Sequence, residues 1–260
     1  MRALSVAEEF ITNGWQIDFA GSISGVPWLS RYMEELVNEG YCKISTNLEM
    51  ASKQDVLLVD SYEISDTDPF VAKEKWKCVI VIVEDFTPSL FADIYIHPGP
   101  NCNWEPPANY RDFQYFIGTE FISVRKSIRE LGAVALSKSD VSPRIVIVGG
   151  GTDPYKFAPA LVNFLSKINL EFHATVFCNR IDAVSNDVRF NFFEPGSEFE
   201  HAIKTADVIF CTGGTMSWEM LSAGFAIGIA LATTNQELNF YYQETANLAS
   251  TIGKRKKNGE

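Results

Sequence analysis

Asp207-Val-Ile-Phe-Cys-Thr-Gly-Gly-Thr-Met-Ser-Trp-Glu-Met-Leu221 is the stretch that decides how this chain is read. A short apolar strand runs into Gly213-Gly214-Thr215, and a helix begins straight after. Glu219 lies one helical turn past Thr215. Backbone amides, a hydroxyl and a carboxylate therefore converge at one strand-to-helix turn, the usual place for a phosphorylated ligand in an α/β fold. A carboxylate in that first turn can accept two hydrogen bonds from a ribose diol. The competing reading is an acid that complements the helix dipole, an effect of about 0.3–1 kcal/mol.

Two further turns share the same sheet edge. Arg144-Ile-Val-Ile-Val148 reads as a strand, and Gly149-Gly150-Gly151-Thr152-Asp153 follows it before a helix. Glycines let backbone approach a phosphate without Cβ clashes, and Thr152 and Asp153 are placed to cap the helix. The loop is neither Gly-x-Gly-x-x-Gly nor a Walker loop. Asn235-Gln236 opens the next helix after a strand at 227–231. Three glycine- or amide-bearing loops at one edge support a ligand more than any one alone.

Outward from there the chain alternates strands and helices. Strands are predicted at 16–20, 55–60 and 78–83 in the first half, with helices at 3–11, from Pro27 to Gly40, and at 69–76. In the second half they are predicted at 172–177 and 189–192, with helices at 155–167, 199–205 and 236–248. This order indicates parallel, doubly wound sheets. Residues 97–107, rich in Gly, Pro and Asn, read as a long loop that contains His97. Lys138 to Pro143 is polar and ends in proline, which makes it the expected linker. The expected organisation is two Rossmann-like domains facing across a cleft, 1–138 and 139–260. In the first of these, Asp60-Ser61-Tyr62 and Glu84-Asp85 fall at the carboxyl ends of strands, where such a sheet places ligands.

Composition narrows the class. With 22 basic and 33 acidic residues the formal charge is −11, which argues against non-specific binding to nucleic acid or anionic lipid. It leaves open an anionic small ligand held by helix N-termini. Five scattered cysteines without Cys-x-x-Cys read as reduced core thiols of a cytoplasmic protein. No apolar run approaches the ~20 residues of a membrane span. No histidine pair has metal-ligand spacing, so neither a metal nor a cofactor is expected.

The second half resembles the glycosyltransferase-B type fold, in particular the group around the lipid-linked N-acetylglucosaminyl transferase of peptidoglycan synthesis. Gly213-Gly214-Thr215, Glu219 and Asn235-Gln236 carry that resemblance. A closer resemblance, over nearly the whole chain, is to the UDP-sugar hydrolases of pseudaminic acid biosynthesis and their spore-coat polysaccharide relatives. It rests on Met1 to Ala7, Val59-Asp60-Ser61-Tyr62, Val83-Glu84-Asp85, Ala92-Asp93 and Ser123-Val124-Arg125. To these are added Gly149 to Asp153, Thr212 to Glu219 and Asn235-Gln236.

The resemblance implies hydrolytic removal of UDP from UDP-2,4-diacetamido-2,4,6-trideoxy-altrose, with inversion and without metal. It implies nucleotide contacts from Gly149, Gly150, Gly151, Asp153, Gly213, Gly214, Thr215 and Glu219, the last to the ribose. Asp60, Asn235 and Gln236 would contact the substrate, and Tyr62 would face the sugar as a catalytic or positioning group. The family's Gly-x-Gly-His loop sits directly before the Met-Arg pair, and its His is not in this sequence. The chain is therefore expected to lack the first strand of its first domain and the closing helices of its second, with catalysis compromised. A UDP-dependent glycosyltransferase and a non-catalytic nucleotide-sugar-binding protein are the alternatives.

Overall fold

In the computed structural model the described residues are 2–21, 26–45, 52–100, 103–108, 110–131, 142–151, 153–178, 187–196 and 198–254. Cys102, Thr152, residues 138–141 of the expected linker and the basic residues 255–257 lie outside them. The chain forms two compact units: Met1–Ser22 with Leu36–Ser123, and Ile23–Glu35 with Val124–Glu260.

The second unit is built on six parallel strands: β7 (Arg144–Val148), β8 (His173–Phe177), β9 (Phe190–Phe193), β10 (Val208–Thr212), β11 (Ile227–Leu231) and β12 (Ser250–Lys254). Their order is β12-β11-β10-β7-β8-β9. Chain order reverses between β7 and β10, which makes that pair the topological switch point where doubly wound sheets bind ligands. β7 is an unbroken apolar run because both its faces are covered. Val146 and Val148 join the core with Ile209, Cys211 and Ile229. Ile145 and Ile147 face the opposite cluster with Ala174, Val176, Ala158 and Val162. The two-residue period of a strand separates these sets.

Helices α4 (Phe157–Leu165), α5 (Glu198–Lys204), α6 (Thr215–Ser222) and α7 (Glu237–Thr245) connect the strands, and α3 (Lys126–Arg129) precedes them. Gly224, at φ 82°, makes the turn between α6 and β11, a backbone conformation that glycine adopts without Cβ strain. Gly228 pairs in register with Phe210, and a Cβ there would meet the Phe210 ring at 2.4 Å.

In the first unit, helices α1 (Arg2–Thr12) and α2 (Pro27–Asn38) alternate with β1 (Ile17–Phe19) and β2 (Cys42–Ile44). Residues 27–35 of α2 group with the second unit. β1 and β2 form a two-stranded parallel sheet. A separate four-stranded parallel sheet runs β3-β4-β5-β6, from Val56–Val59, Cys78–Ile82, Ile94–Pro98 and Gln114–Gly118. Among the described residues β1 pairs only with β2, and β3 only with β4. Val79, Val81, Val83, Leu90 and Tyr95 form the core of the larger sheet. The Tyr95 hydroxyl donates to the Leu90 carbonyl at 2.6 Å and accepts from the Ala92 amide.

Two sequence expectations are corrected. The helix expected at 69–76 is two 3₁₀ turns, Pro69–Val71 and Lys73–Lys75, split by Ala72, whose backbone is non-helical (φ −53°, ψ 116°). Lys73 reaches away to Asp93 at 2.8 Å and the Trp76 indole donates to the Phe70 carbonyl, contacts that a continuous helix would not present together. His97 lies inside β5, not in the following loop, because the alternation of 94–98 buries Tyr95 and His97 on one face. β2 was not anticipated. Nor was β12, Ser250–Lys254, which pairs in parallel with β11.

Candidate functional site

The register of the second sheet aligns three turns. Val148 pairs with Cys211, and Thr212 with Ala230. The turns at Gly149, Gly213 and Ala232 therefore leave the same edge on adjacent strands, at and beside the switch point.

At the Gly213-Gly214 turn the glycine amides are already used. Gly213 N–H donates to the Ala230 carbonyl and Gly214 N–H to Thr212. The donors left for an anion are the amides that open α6, Thr215 and Met216, which have no carbonyl one turn back inside the helix. The first turn of α6 carries no acid and its N-terminus no side-chain cap. What the glycines supply is proximity: a Cβ on Gly213 would meet Phe240 at 3.2 Å, and one on Gly214 would meet the Gln236 amide nitrogen at 3.3 Å. Gln236 is oriented by the Ala232 amide, which donates to its Oε1 at 3.3 Å, so its NH2 is presented beside the turn. Asn235 is exposed, and its Oδ1 pairs with the Thr233 hydroxyl.

Behind the turn a buried network fixes its shape. The Ser217 hydroxyl donates to the Gly214 carbonyl at 2.7 Å, and Gln243, fully buried on α7, donates to that hydroxyl at 2.8 Å. Cys211, directly below, is fully buried; burial pushes its thiol up to about 12, so it is no nucleophile.

Glu219 is 2% exposed. Arg125 donates to it three times: through its amide at 3.1 Å, Nε at 2.8 Å and Nη2 at 2.9 Å. The carboxylate expected to meet a ribose is thus bound to an arginine that sequence reading had noted only as part of a resemblance.

The β7 turn behaves differently. Gly150 adopts φ 94° and Asp153 φ 43°. As expected from sequence, Asp153 caps α4: Phe157 N–H donates to Oδ1 at 2.8 Å and Ala158 N–H to Oδ2 at 2.9 Å. Its carboxylate fills the anion position at that helix end, whereas the α6 end has no acid in its first turn and no side-chain cap. Gly151 packs against the Trp28 indole of α2, whose buried Nε1 has no acceptor among the described residues. Nothing in the local sequence links Trp28 to residue 151; only folding joins them.

In the first unit the carboxyl ends of β3, β4 and β5 carry a second polar cluster. Arg2 donates through Nη2 to Asp60 at 2.6 Å and through Nη1 to Glu84, and the Ala3 amide donates to Asp60 at 3.3 Å. The Tyr62 hydroxyl donates to the other oxygen of Glu84. Burial works against the Arg2 guanidinium, but Asp60 and Glu84 outweigh it and hold its pKa above the usual arginine value. His97, 4% exposed, lies beside this group. The structure therefore brings Asp60 and Tyr62 together through Arg2 and Glu84. Arg2→Ala is expected to cost about 1.5–3 kcal/mol, the worth of hydrogen bonds to charged groups, measured as a lower urea midpoint.

Among the described residues there is no group of three His, Cys, Asp or Glu positioned for a metal ion, and no helix long and apolar enough to cross a membrane.

The chain is similar to MurG of Acinetobacter baumannii, with a TM-score of 0.54, 13% identity, and coverage of 97% of this chain and 82% of that one. The fold is of the glycosyltransferase-B type. A glycotransferase of kitacinnamycin aligns with a TM-score of 0.34 and 15% identity, covering 97% of this chain and 53% of the other. No protein-family model and no curated sequence matches the chain.

Proposed function

We propose that the protein binds UDP in its second unit and removes it from a UDP-linked sugar by hydrolysis. One observation carries this reading: an uncapped helix N-terminus, free of acids, opens at the switch point of a doubly wound sheet beside an oriented amide. The Thr215 and Met216 amides, the Thr215 hydroxyl and the Gln236 amide would hold the diphosphate. Glu219 has about four lone-pair positions, three of which Arg125 engages, so one ribose hydroxyl can join without breaking the pair.

Calorimetry with UDP tests the binding step. Gln236→Ala is expected to weaken UDP binding about 10-fold, the worth of one hydrogen bond to a charged group. Exchanging the exposed Glu171 for Gln should leave it unchanged. Equal effects would remove Gln236 from the site. Phosphorus NMR of UDP-2,4-diacetamido-2,4,6-trideoxy-altrose then reads the chemistry. UDP released in water alone supports hydrolysis, release only with an added acceptor makes the protein a transferase, and binding without release makes it a sugar-nucleotide carrier. A chain that does not bind UDP would sink all three.

A further inference from the structure

We propose that Ser217 and Gln243 are positioning residues for the diphosphate, and that they act through the peptide group between Gly214 and Thr215. This rests on the reading above, in which UDP binds at the start of α6. A peptide group is planar and trans, so its carbonyl and its N–H point in opposite directions. Whatever holds the Gly214 carbonyl therefore aims the Thr215 N–H. Ser217 holds that carbonyl twice, through its amide at 3.1 Å and through its hydroxyl at 2.7 Å. Both carbonyl lone pairs are then occupied, and the N–H is fixed facing out of the helix.

A serine that bonds back to the carbonyl three residues before it is ordinary in helices, and Ser222 does so to Glu219 at 2.8 Å. Two things set Ser217 apart. Its carbonyl belongs to the peptide that opens α6, whose N–H meets no carbonyl of the helix and no side-chain cap. Its hydroxyl also accepts a hydrogen bond at 2.8 Å from Gln243, 26 residues further on. The bonds run head to tail: Gln243 N–H to the Ser217 hydroxyl, that hydroxyl to the Gly214 carbonyl, and Thr215 N–H to the phosphate. Hydrogen bonds aligned in this way polarise one another, and more so away from water. Ser217 and Gln243 are both 0% exposed.

The amide of Gln243 is destabilising where it stands. Its Oε1 is buried and has no hydrogen-bond partner among the described residues. Turning the amide over would let Oε1 accept from the Ser217 hydroxyl. It would also draw that proton off the Gly214 carbonyl and leave the NH2 group unpartnered instead. An apolar side chain of the same size would carry neither penalty. What the amide supplies is the direction of the chain of bonds.

The test follows UDP by calorimetry, uridine by NMR titration, and stability by thermal unfolding, all on the full chain. Gln243→Met fills the same space without an amide. It is expected to keep or raise the melting temperature and to weaken UDP binding about 3-fold. Uridine, which has no phosphate, should bind as before. Ser217→Ala should weaken UDP binding about 10-fold, and adding Gln243→Met to it should weaken binding no further, because the chain is already cut. A role in packing alone predicts the reverse for Gln243→Met, a lower melting temperature with unchanged UDP affinity, and that result overturns the proposal. So does an equal loss of UDP and uridine, or a second loss in the double variant. If Gln243→Met does not fold, Ser217 decides: Ser217→Thr restores the hydroxyl and should recover the UDP affinity that Ser217→Ala loses, and no recovery overturns the proposal. Variants that bind UDP like the wild type overturn this role and leave nucleotide binding standing, whereas a wild-type chain that does not bind UDP overturns the reading beneath it as well.

Discussion

Arg125→Ala is expected to destabilise the second unit by about 3–5 kcal/mol, because it strands a buried carboxylate. Glu219 is 2% exposed and Arg125 side-chain atoms supply two of its hydrogen bonds; only the main-chain amide of residue 125 would remain. The loss should appear as a fall in melting temperature of roughly 2–4 °C per kcal/mol for a unit of this size. Arg125 also lies over the Phe199 ring at 5.5 Å and near Glu200 at 3.9 Å, so a small residue gives up packing as well as charge. Arg125→Lys should fall between, since an ammonium cannot reproduce the two-pronged contact. Combining Arg125→Ala with Glu219→Ala should cost less than the two separately, because neither charge is then left alone. Strict additivity in that cycle would show that the pair is not coupled and would undo this account of the site's rigidity.

Gly149→Ala is expected to be the most damaging single methyl addition in the β7 turn. Its Cβ would fall 2.2 Å from the Asp153 carboxyl carbon and 2.7 Å from the Asp153 Cβ. Asp153 cannot yield by a rotamer change alone, since its own Cβ is in the way. Overpacking costs about 1–3 kcal/mol. Expelling Asp153 also releases the Phe157 and Ala158 amides, and losing such a cap costs about 1–2 kcal/mol more. Thermal unfolding with UDP titration separates the two roles of the turn. Asp153→Asn keeps an acceptor and tolerates the left-handed backbone, so it should lose much less stability than Gly149→Ala. It should bind UDP no worse, because it removes a negative charge from the phosphate-facing edge. A Gly149→Ala protein with unchanged melting temperature would show that the turn has room this structure does not give it.

How much of this was legible beforehand differs between the two halves. In the second unit each expected strand appears within a residue or two, because strands buried on both faces spell unbroken apolar runs such as Ile145 to Val148. Gly149, Gly213 and Gln236 stand out in sequence as turn residues between strand and helix, and the register places their turns at one sheet edge. In the first unit β5 was missed, since a strand that buries a histidine and ends in proline carries no plain apolar signature. The helix expected at 69–76 failed because Lys73 and Trp76 are recruited by distant partners, Asp93 and Phe70, which a local reading cannot weigh.

Alternation, apolar runs and turn residues are local properties, and from them the sequence by itself determined an α/β chain of parallel sheets and the turns at the carboxyl edge of the second. Partnership between side chains was decided only by the tertiary structure. Arg125 and Glu219 are 94 residues apart, and Arg2 reaches Asp60 and Glu84 across 58 and 82. Trp28 meets Gly151 through the same long-range packing, and the buried His97 Nδ1 has no partner among the described residues. Hydrogen bonds and burial depend on what the folded chain brings within about 3 Å, and no spacing rule along the sequence encodes that distance.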